Sequence, residues 1–157
     1  MPARAVVSAA RSRVGKPFAG DCSTFVLRVF RDARIAVPAL PSRTKSTSEA
    51  LFRSLTPVRR PRAGDIVVFH RTYDRERPGP GRNLFTHVGV VESVHGDRVT
   101  FIHRLGRTVL RSTMNTARPH DPRENDPLRR RRATDVGKQR YLAGELFAGF
   151  ARLPRNS

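Results

Sequence analysis

The most constraining feature of this chain is the hexapeptide Asp-Cys-Ser-Thr-Phe-Val at residues 21–26, which holds its only cysteine. A Gly-Asp step precedes the cysteine, and apolar residues at three- and four-residue spacing follow it. This pattern predicts that Cys22 stands at the N-terminus of a helix over residues 23–34. Unpaired backbone N–H groups at a helix N-terminus favour the thiolate, which is the nucleophilic form. We therefore expect a reactive thiol.

Length and composition fit one globular domain over residues 1–157. The chain has 157 residues, 38% of them hydrophobic, with nine Phe to build a core. No stretch reaches the roughly 18 apolar residues of a membrane span. The apolar run in residues 1–10 is too short for a secretory signal, so we expect no signal peptide there. A single cysteine excludes an internal disulfide.

The chain is strongly basic, with a formal net charge of +18 from 31 Lys and Arg against 13 Asp and Glu. Only Lys16, Lys45 and Lys138 are lysines, so arginine dominates. This excess indicates an anionic partner, or else a codon bias toward arginine, and both interpretations stay open. Two Tyr and no Trp offer few stacking platforms for single-stranded nucleic acid.

The order of the predicted elements is typical of an α+β fold, with helices first and consecutive strands after them. Helices are predicted over residues 3–14, 23–34 and 46–55, and strands over 65–70, 86–94, 98–103 and 108–112. Residues 71–83 and 115–140 are polar loops, the second of them basic. Residues 142–153 form a closing apolar element, for which a strand is favoured over a helix.

Cysteine-based acyl transfer needs a thiol, an imidazole within reach and a group that fixes the tautomer of that imidazole. Cys22, His87 and His103 supply these three parts. With a two-residue turn at Gly96-Asp97, His103 would pair with Val90 and face away from His87. An odd loop or one β-bulge would restore a common face, so we predict one.

Each of these side chains also has a plainer interpretation. Cys22 could be a small buried hydrophobe, and His103 a satisfied core histidine. The three together could bind zinc, although no close-spaced ligand pair supports such a site. We expect no metal and no other cofactor.

Four blocks of the sequence resemble the NlpC-type cell-wall cysteine peptidases, papain-like enzymes whose near neighbours are the CHAP amidases. Residues 21–26 match the family pattern Asp-Cys-Ser-Gly-Phe-Val, and residues 62–69 resemble its Pro-Gly-Asp-Leu-Val-Phe-Phe strand. His-Val-Gly-Val at 87–90 and Phe-Ile-His at 101–103 resemble the next two strands. Together these blocks place a family-like core at about residues 5–112.

The resemblance implies a papain-like α+β fold, in which N-terminal helices, with the nucleophile at a helix N-terminus, pack on an antiparallel sheet. It implies Cys22 as nucleophile, His87 as base and His103 as the residue that orients the base. Asp21 would lie near the amino end of the substrate. The other expected substrate contacts are Ser23, Phe18 and Thr86. Phe18 and Thr24 stand where family members usually carry Tyr and Gly.

The implied function is hydrolysis of an amide bond in peptidoglycan peptides through an acyl-enzyme. The implied partners are peptidoglycan or its fragments, with anionic wall polymers attracted to the arginine-rich surface. We expect a monomer in the cell envelope or outside the cell. The alternatives are a CHAP-like amidase of another specificity and a non-catalytic domain that binds polyanions or nucleic acid.

Overall fold

The computed structural model describes residues 2–73, 81–129 and 140–154, which form four helices and six strands. In chain order they are α1 (Pro2–Arg11), α2 (Cys22–Asp32), α3 (Thr47–Ser54), β1 (Thr56–Val58), β2 (Ile66–Phe69), β3 (His87–His95), β4 (Arg98–Leu105), β5 (Thr108–Asn115), α4 (Ala143–Leu146) and β6 (Phe147–Arg152). The predicted α+β class is confirmed.

All six strands form one antiparallel sheet in the order β1-β6-β2-β3-β4-β5. The last strand therefore lies inside the sheet, between β1 and β2. Arg152 fixes β6 there, because its Nε and Nη2 donate to the buried carboxylate of Asp65 at 2.9 and 3.0 Å. Charge-assisted pairs of this forked geometry are among the stronger hydrogen bonds in proteins.

Helix α2 begins at Cys22 because Asp21 caps it. The Asp21 side chain accepts from the backbone N–H of Thr24 at 2.8 Å and satisfies one of the open donors of the first turn. Beyond the cap, one face of α2 is fully buried, and it consists of Phe25, Val26, Val29 and Phe30. The predicted start of this helix at the cysteine is confirmed.

Alternating strand residues divide the core between the two faces of the sheet. On one face, Val88 and Ile102 pack with the apolar faces of α1, α2 and α3. On the other face, Val91 and Phe101 pack with residues that lie between β5 and β6 in the chain, including Leu128 and Leu146. Both faces are thus covered.

Of the two predicted alternatives, an odd loop or a β-bulge, the β3–β4 pair contains the bulge. His95 pairs with Arg98 across a two-residue turn, but the register shifts between Val91 and Ser93, which leaves Glu92 as the extra residue. Beyond the bulge Val90 pairs with Ile102. His103 is therefore carried opposite Gly89, on the same face as His87.

The bulged residue is held by two arginines. The carboxylate of Glu92 accepts from Arg11 Nε of α1 at 2.6 Å, and from Arg111 Nε and Nη2 of β5 at 2.6 and 2.8 Å. These contacts lower the pKa of Glu92, the hydrogen bond from Arg111 most of all. The extra residue is thus tied to helix α1 and to β5, which lies two strands away in the sheet.

Two differences from the predicted elements lie at β1 and just before β6. Strand β1 was missed, because its three residues, Thr-Pro-Val, carry a proline and show no alternation. Residues 142–153 form one helical turn before the predicted strand, since Glu145 accepts from the backbone N–H of Leu142 at 3.0 Å. Residues 74–80 of the first loop and 130–139 of the basic loop lie outside the described residues. No helix within the described ranges is long and apolar enough to cross a bilayer.

Gly89→Ala tests whether the β3–β4 pair sets the position of His103. A β-carbon on Gly89 would lie 3.1 Å from His103 Cβ and 3.1 Å from the Ile102 carbonyl oxygen, so the strands must separate. We expect a loss of about 1–3 kcal/mol in the free energy of unfolding, measured in urea, and changed ¹⁵N shifts of the His103 ring.

Gly149→Ala is the matched control, because its β-carbon would meet the Phe52 ring at 3.0 Å, away from both histidines. It should lower stability without changing the His103 resonances. Unchanged His103 resonances in Gly89→Ala would contradict the prediction.

Candidate active site

A cleft of about 430 Å³ opens at one end of the sheet. The C-terminal ends of β2 and β4 and the N-terminal end of β3 meet there, because these strands are antiparallel. The N-termini of α2 and α3 face the same opening. Its lining residues are Asp21, Cys22, Ser23, Ser46, Thr47, Ser48, Thr72, Tyr73, Thr86, His87, Arg104, Leu105, Gly106 and Leu128.

Cys22 is the first residue of α2 and is partly buried in this cleft. Its Sγ lies 3.8 Å from Ser48 Oγ and 3.9 Å from the Thr86 carbonyl oxygen. Burial raises the pKa of the thiol, and the nearby charge of Asp21 adds to that rise. The expected thiolate is therefore wrong for the free protein, because desolvation of a buried sulfur outweighs the favourable helix end.

The carboxylate of Asp21 caps the N-terminus of α2. Its Oδ1 accepts from the Thr24 backbone N–H, from Thr24 Oγ1 and from Ser23 Oγ, each at 2.8 Å. These bonds hold the pKa of Asp21 below its ordinary value, although burial opposes them. Thr24, which replaces the usual glycine, thus adds a second hydrogen bond to the cap.

Two histidines and a serine form a buried chain of hydrogen bonds. His87 Nε2 lies 2.8 Å from His103 Nδ1, and His103 Nε2 lies 2.8 Å from Ser112 Oγ. The rings of Phe69 and Phe101 pack against the two imidazoles. Because His87 Nε2 takes part in these hydrogen bonds, its other ring nitrogen, Nδ1, is the one that lies outside them.

Burial controls the charge of both histidines. It lowers the pKa of His87 to about 4, and the positive charge of Arg104 contributes to the shift. Burial also lowers the pKa of His103, with the neighbouring His87 as a second cause. Both imidazoles are therefore neutral at pH 7, and the site holds a neutral thiol beside a neutral imidazole.

The structure brings Cys22 and His87 to the same cleft without a hydrogen bond between them. The neighbours of the sulfur are Ser48 and Thr86, and the hydrogen bond of the His87 ring goes to His103. Catalytic hydrogen bonds are often long in ligand-free sites and shorten when substrate binds.

Side-chain hydrogen bonds fix the segment that leads into His87. Ser46 Oγ, at the N-cap of α3, donates to the Phe85 carbonyl oxygen at 2.8 Å. Thr86 Oγ1 lies 2.7 Å from Thr72 Oγ1 and accepts from the Thr72 backbone N–H at 2.9 Å. The start of β3 is thus held by α3 on one side and by the segment after β2 on the other.

Not all the expected substrate contacts reach the cleft. Asp21, Ser23 and Thr86 line it, whereas Phe18 packs edge-on against Phe25, with ring centroids 5.6 Å apart. Phe18 has the place of the usual tyrosine in the sequence, but its ring belongs to the helix-side core.

Sequence reasoning missed three polar residues of the site, Ser48, Ser112 and Arg104. Ser48 follows the N-cap of α3 by two residues, and its serine-rich context was interpreted only as capping. Ser112 lies on β5, two strands from β3, so only the register of the sheet reveals it. Arg104 directly follows His103, but arginines are spread along the whole sequence, so no local pattern distinguishes this one.

Across the described ranges, no group of three or more His, Cys, Asp and Glu could hold a metal ion. The side-chain hydrogen bonds of His87 and His103 join them to each other and to Ser112.

Alkylation of Cys22 by iodoacetamide across pH tests the neutral-thiol assignment. Because burial raises the pKa of the thiol, the midpoint of the rate profile should lie above that of a free cysteine. Asp21→Asn should lower this midpoint, because asparagine keeps the cap and removes the negative charge. A wild-type midpoint below pH 7 would show a preformed thiolate and contradict the assignment.

Among solved structures, the chain is similar to the crystal structure of Ly7917. The two are 20% identical, with a TM-score of 0.49 over 73% of this chain and 57% of that chain. The present chain thus spans little more than half the length of that relative. No protein of curated function matches the sequence.

The family comparison is more extensive. A model of the CHAP domain matches residues 12–104, which is more than half of the chain. CHAP domains form part of the NlpC and papain-like cysteine peptidase superfamily, so the resemblance predicted from the sequence is confirmed. Such domains are typically amidases or peptidases that act on peptidoglycan. The chain belongs to the CHAP domain family.

Proposed function

We propose that this protein is a cysteine hydrolase that cleaves an amide bond in peptidoglycan peptides. The observation that carries the proposal is the cleft that contains both Cys22 and His87, with His87 joined at 2.8 Å to His103. Family membership supports the hydrolase and the wall substrate, and the geometry supports the assignment of the residues. The proposed catalytic unit is a single domain.

Ser112 is proposed to set the tautomers of the two histidines. If His103 Nε2–H donates to Ser112 Oγ, then His103 Nδ1 carries a lone pair and accepts from His87 Nε2–H. His87 Nδ1 is then unprotonated and can accept the thiol proton. The opposite tautomer would place the proton of His87 on Nδ1, where the imidazole could not act as a base.

The proposed reaction starts from the neutral pair. His87 Nδ1 takes the proton of Cys22 as Sγ attacks the carbonyl carbon, and the resulting imidazolium donates through Nε2 to His103. The imidazolium then protonates the leaving amine as the C–N bond breaks, which leaves a thioester on Cys22. Water, deprotonated by His87, attacks the thioester and releases the acid, and the proton returns to the thiol.

The helix end is proposed to stabilise the oxyanion. Cys22 is the first residue of α2, and backbone N–H groups at a helix N-terminus point toward the space where the oxyanion forms. Asp21, Ser23 and Thr86 line the surrounding cleft and are proposed to contact the substrate.

The surface charge is proposed to hold the enzyme on the wall. With a formal charge of +18, the protein is attracted to anionic wall polymers. Such attachment should weaken as salt is added, because exposed charges are screened over about 8 Å at physiological ionic strength. Polymer binding that does not respond to salt would argue against this role.

Cys22→Ala tests the nucleophile. Hydrolysis of purified wall fragments should fall to background, because no other side chain of the cleft supplies a thiol, while the urea unfolding curve stays close to that of the wild type. Mass analysis of the wild-type products separates cleavage within the peptide from amidase cleavage at the sugar–peptide bond. Full activity of the variant would refute the mechanism. An inactive wild type would instead favour a domain that only binds polyanions.

Ser112→Ala tests the tautomer assignment. Loss of the hydroxyl leaves His103 Nε2–H without its acceptor, so kcat should fall by about tenfold or more, or ~1.4 kcal/mol. The ¹⁵N shifts of His87 should show a change of tautomer. Ser112→Thr keeps a hydroxyl and should retain most of the activity. An unchanged tautomer together with unchanged kcat in the alanine variant would contradict the assignment.

A further inference from the structure

Arg104 is the arginine that lines the cleft, next to His103 in the sequence and near the end of β4. Its side chain is partly buried. Nε donates to the Phe18 carbonyl oxygen over a long 3.4 Å. Within the described parts of the chain, no carboxylate forms an ion pair with Arg104, so its charge has no counter-ion there.

Among the described residues that line the cleft, the other charged side chain is Asp21, and its carboxylate is committed to the cap of α2 through three hydrogen bonds. A guanidinium that is partly removed from water and has no carboxylate partner is costly. It is also a forked donor whose shape matches a carboxylate.

Without a bound anion, the positive charge of Arg104 opposes the proposed protonation of His87. His87 must become an imidazolium during attack, and the positive charge of Arg104 disfavours that form. A bound anion would remove the opposition. The other titratable groups around His87 are His103 on β4, which it contacts, and three residues that line the same cleft: Cys22 of α2, its N-cap Asp21, and Tyr73 beyond β2.

We propose that Arg104 binds a free carboxylate of the substrate, carried by the wall peptide within one or two residues of the scissile amide. This inference rests on the proposed function for the identity of the peptide. The bound carboxylate supplies the missing counter-charge beside His87. Only a peptide with a free carboxylate at that position then both fills the cleft and permits the imidazolium to form.

Binding tests the anchor without requiring catalysis. The probes are the peptide L-Ala-γ-D-Glu-L-Lys-D-Ala and a twin in which the glutamyl α-carboxylate is a primary amide, both with amidated C-termini. In a Cys22→Ala background, calorimetry should show that the acid binds at least about tenfold more tightly than the amide, as expected of a charge-assisted hydrogen bond. Equal binding of the two peptides would overturn the proposal.

Three variants locate the effect. Arg104→Gln should abolish the preference for the acid, and Arg104→Lys should retain part of it, because lysine keeps the charge and loses the fork. Arg107→Gln is the matched control, since it removes the same charge from an exposed position in the adjacent turn, outside the cleft lining. Persistence of the preference in Arg104→Gln, or its loss in Arg107→Gln, would also overturn the proposal.

Titration of the His87 ring by NMR gives a second readout. The wild-type ring should titrate near pH 4. Arg104→Gln should titrate at higher pH, because removal of a positive charge favours the imidazolium, and saturation of the Cys22→Ala protein with the acid peptide should shift the ring in the same direction. Failure of both shifts would refute the coupling to His87.

These results are distinguishable from failure of the proposed function. If the wild type cleaves neither peptide nor wall fragments while the Cys22→Ala protein still prefers the acid, the hydrolase is refuted and the carboxylate site stands. If cleavage occurs without any preference between acid and amide, the hydrolase stands and the carboxylate site is refuted.

Discussion

One extra residue in a strand decides which side chains of this protein can meet. Without the bulge at Glu92, the tight turn at Gly96-Asp97 would place His103 on the opposite face from His87. Because side chains alternate strictly along a strand, no smaller adjustment could bring the two rings together. The carboxylate of Glu92, bound by Arg11 and Arg111, anchors that shift to helix α1 and to β5, the strand beyond β4. The 2.8 Å contact between the imidazoles is a consequence of this register.

Burial and the helix end act in opposite directions on the charge of Cys22: the helix end favours the thiolate, and burial favours the neutral thiol. The N-terminus of α2 favours a thiolate, but the cleft raises the pKa of Cys22 and lowers that of His87 to about 4. An ion pair formed in advance is therefore not the resting state. In the proposed mechanism, the proton moves as the sulfur attacks, and the chain through His103 to Ser112 is what makes His87 able to accept it.

Local signals in the sequence were sufficient for much of the fold. The Gly-Asp step before Cys22 and the apolar spacing after it located α2, and the turn at 96–97 located the β3–β4 hairpin. The need for an odd loop or a bulge also followed from the sequence. Side chains alternate along each strand, so a two-residue turn alone would put His87 and His103 on opposite faces. The ionisation state of Cys22 did not follow from the sequence, since it depends on how deeply the cleft buries the sulfur. Ser112 and Arg104 were missed for the same reason: their roles come from neighbours that are distant in the chain.

The position of β6 has a consequence for how the molecule is made. This strand fills the gap between β1 and β2, and Arg152 reaches back 87 residues to the carboxylate of Asp65. While a ribosome is still producing the chain, β2 lacks one of its two partners, and the sheet edge beside it stays open until residues 147–152 emerge. Pairings that span such sequence separations slow folding, because the entropy of closing a long loop is lost before they form. The sheet beside the cleft is therefore completed only after β6 has been synthesised, which delays the appearance of the finished cleft relative to the strands that line it.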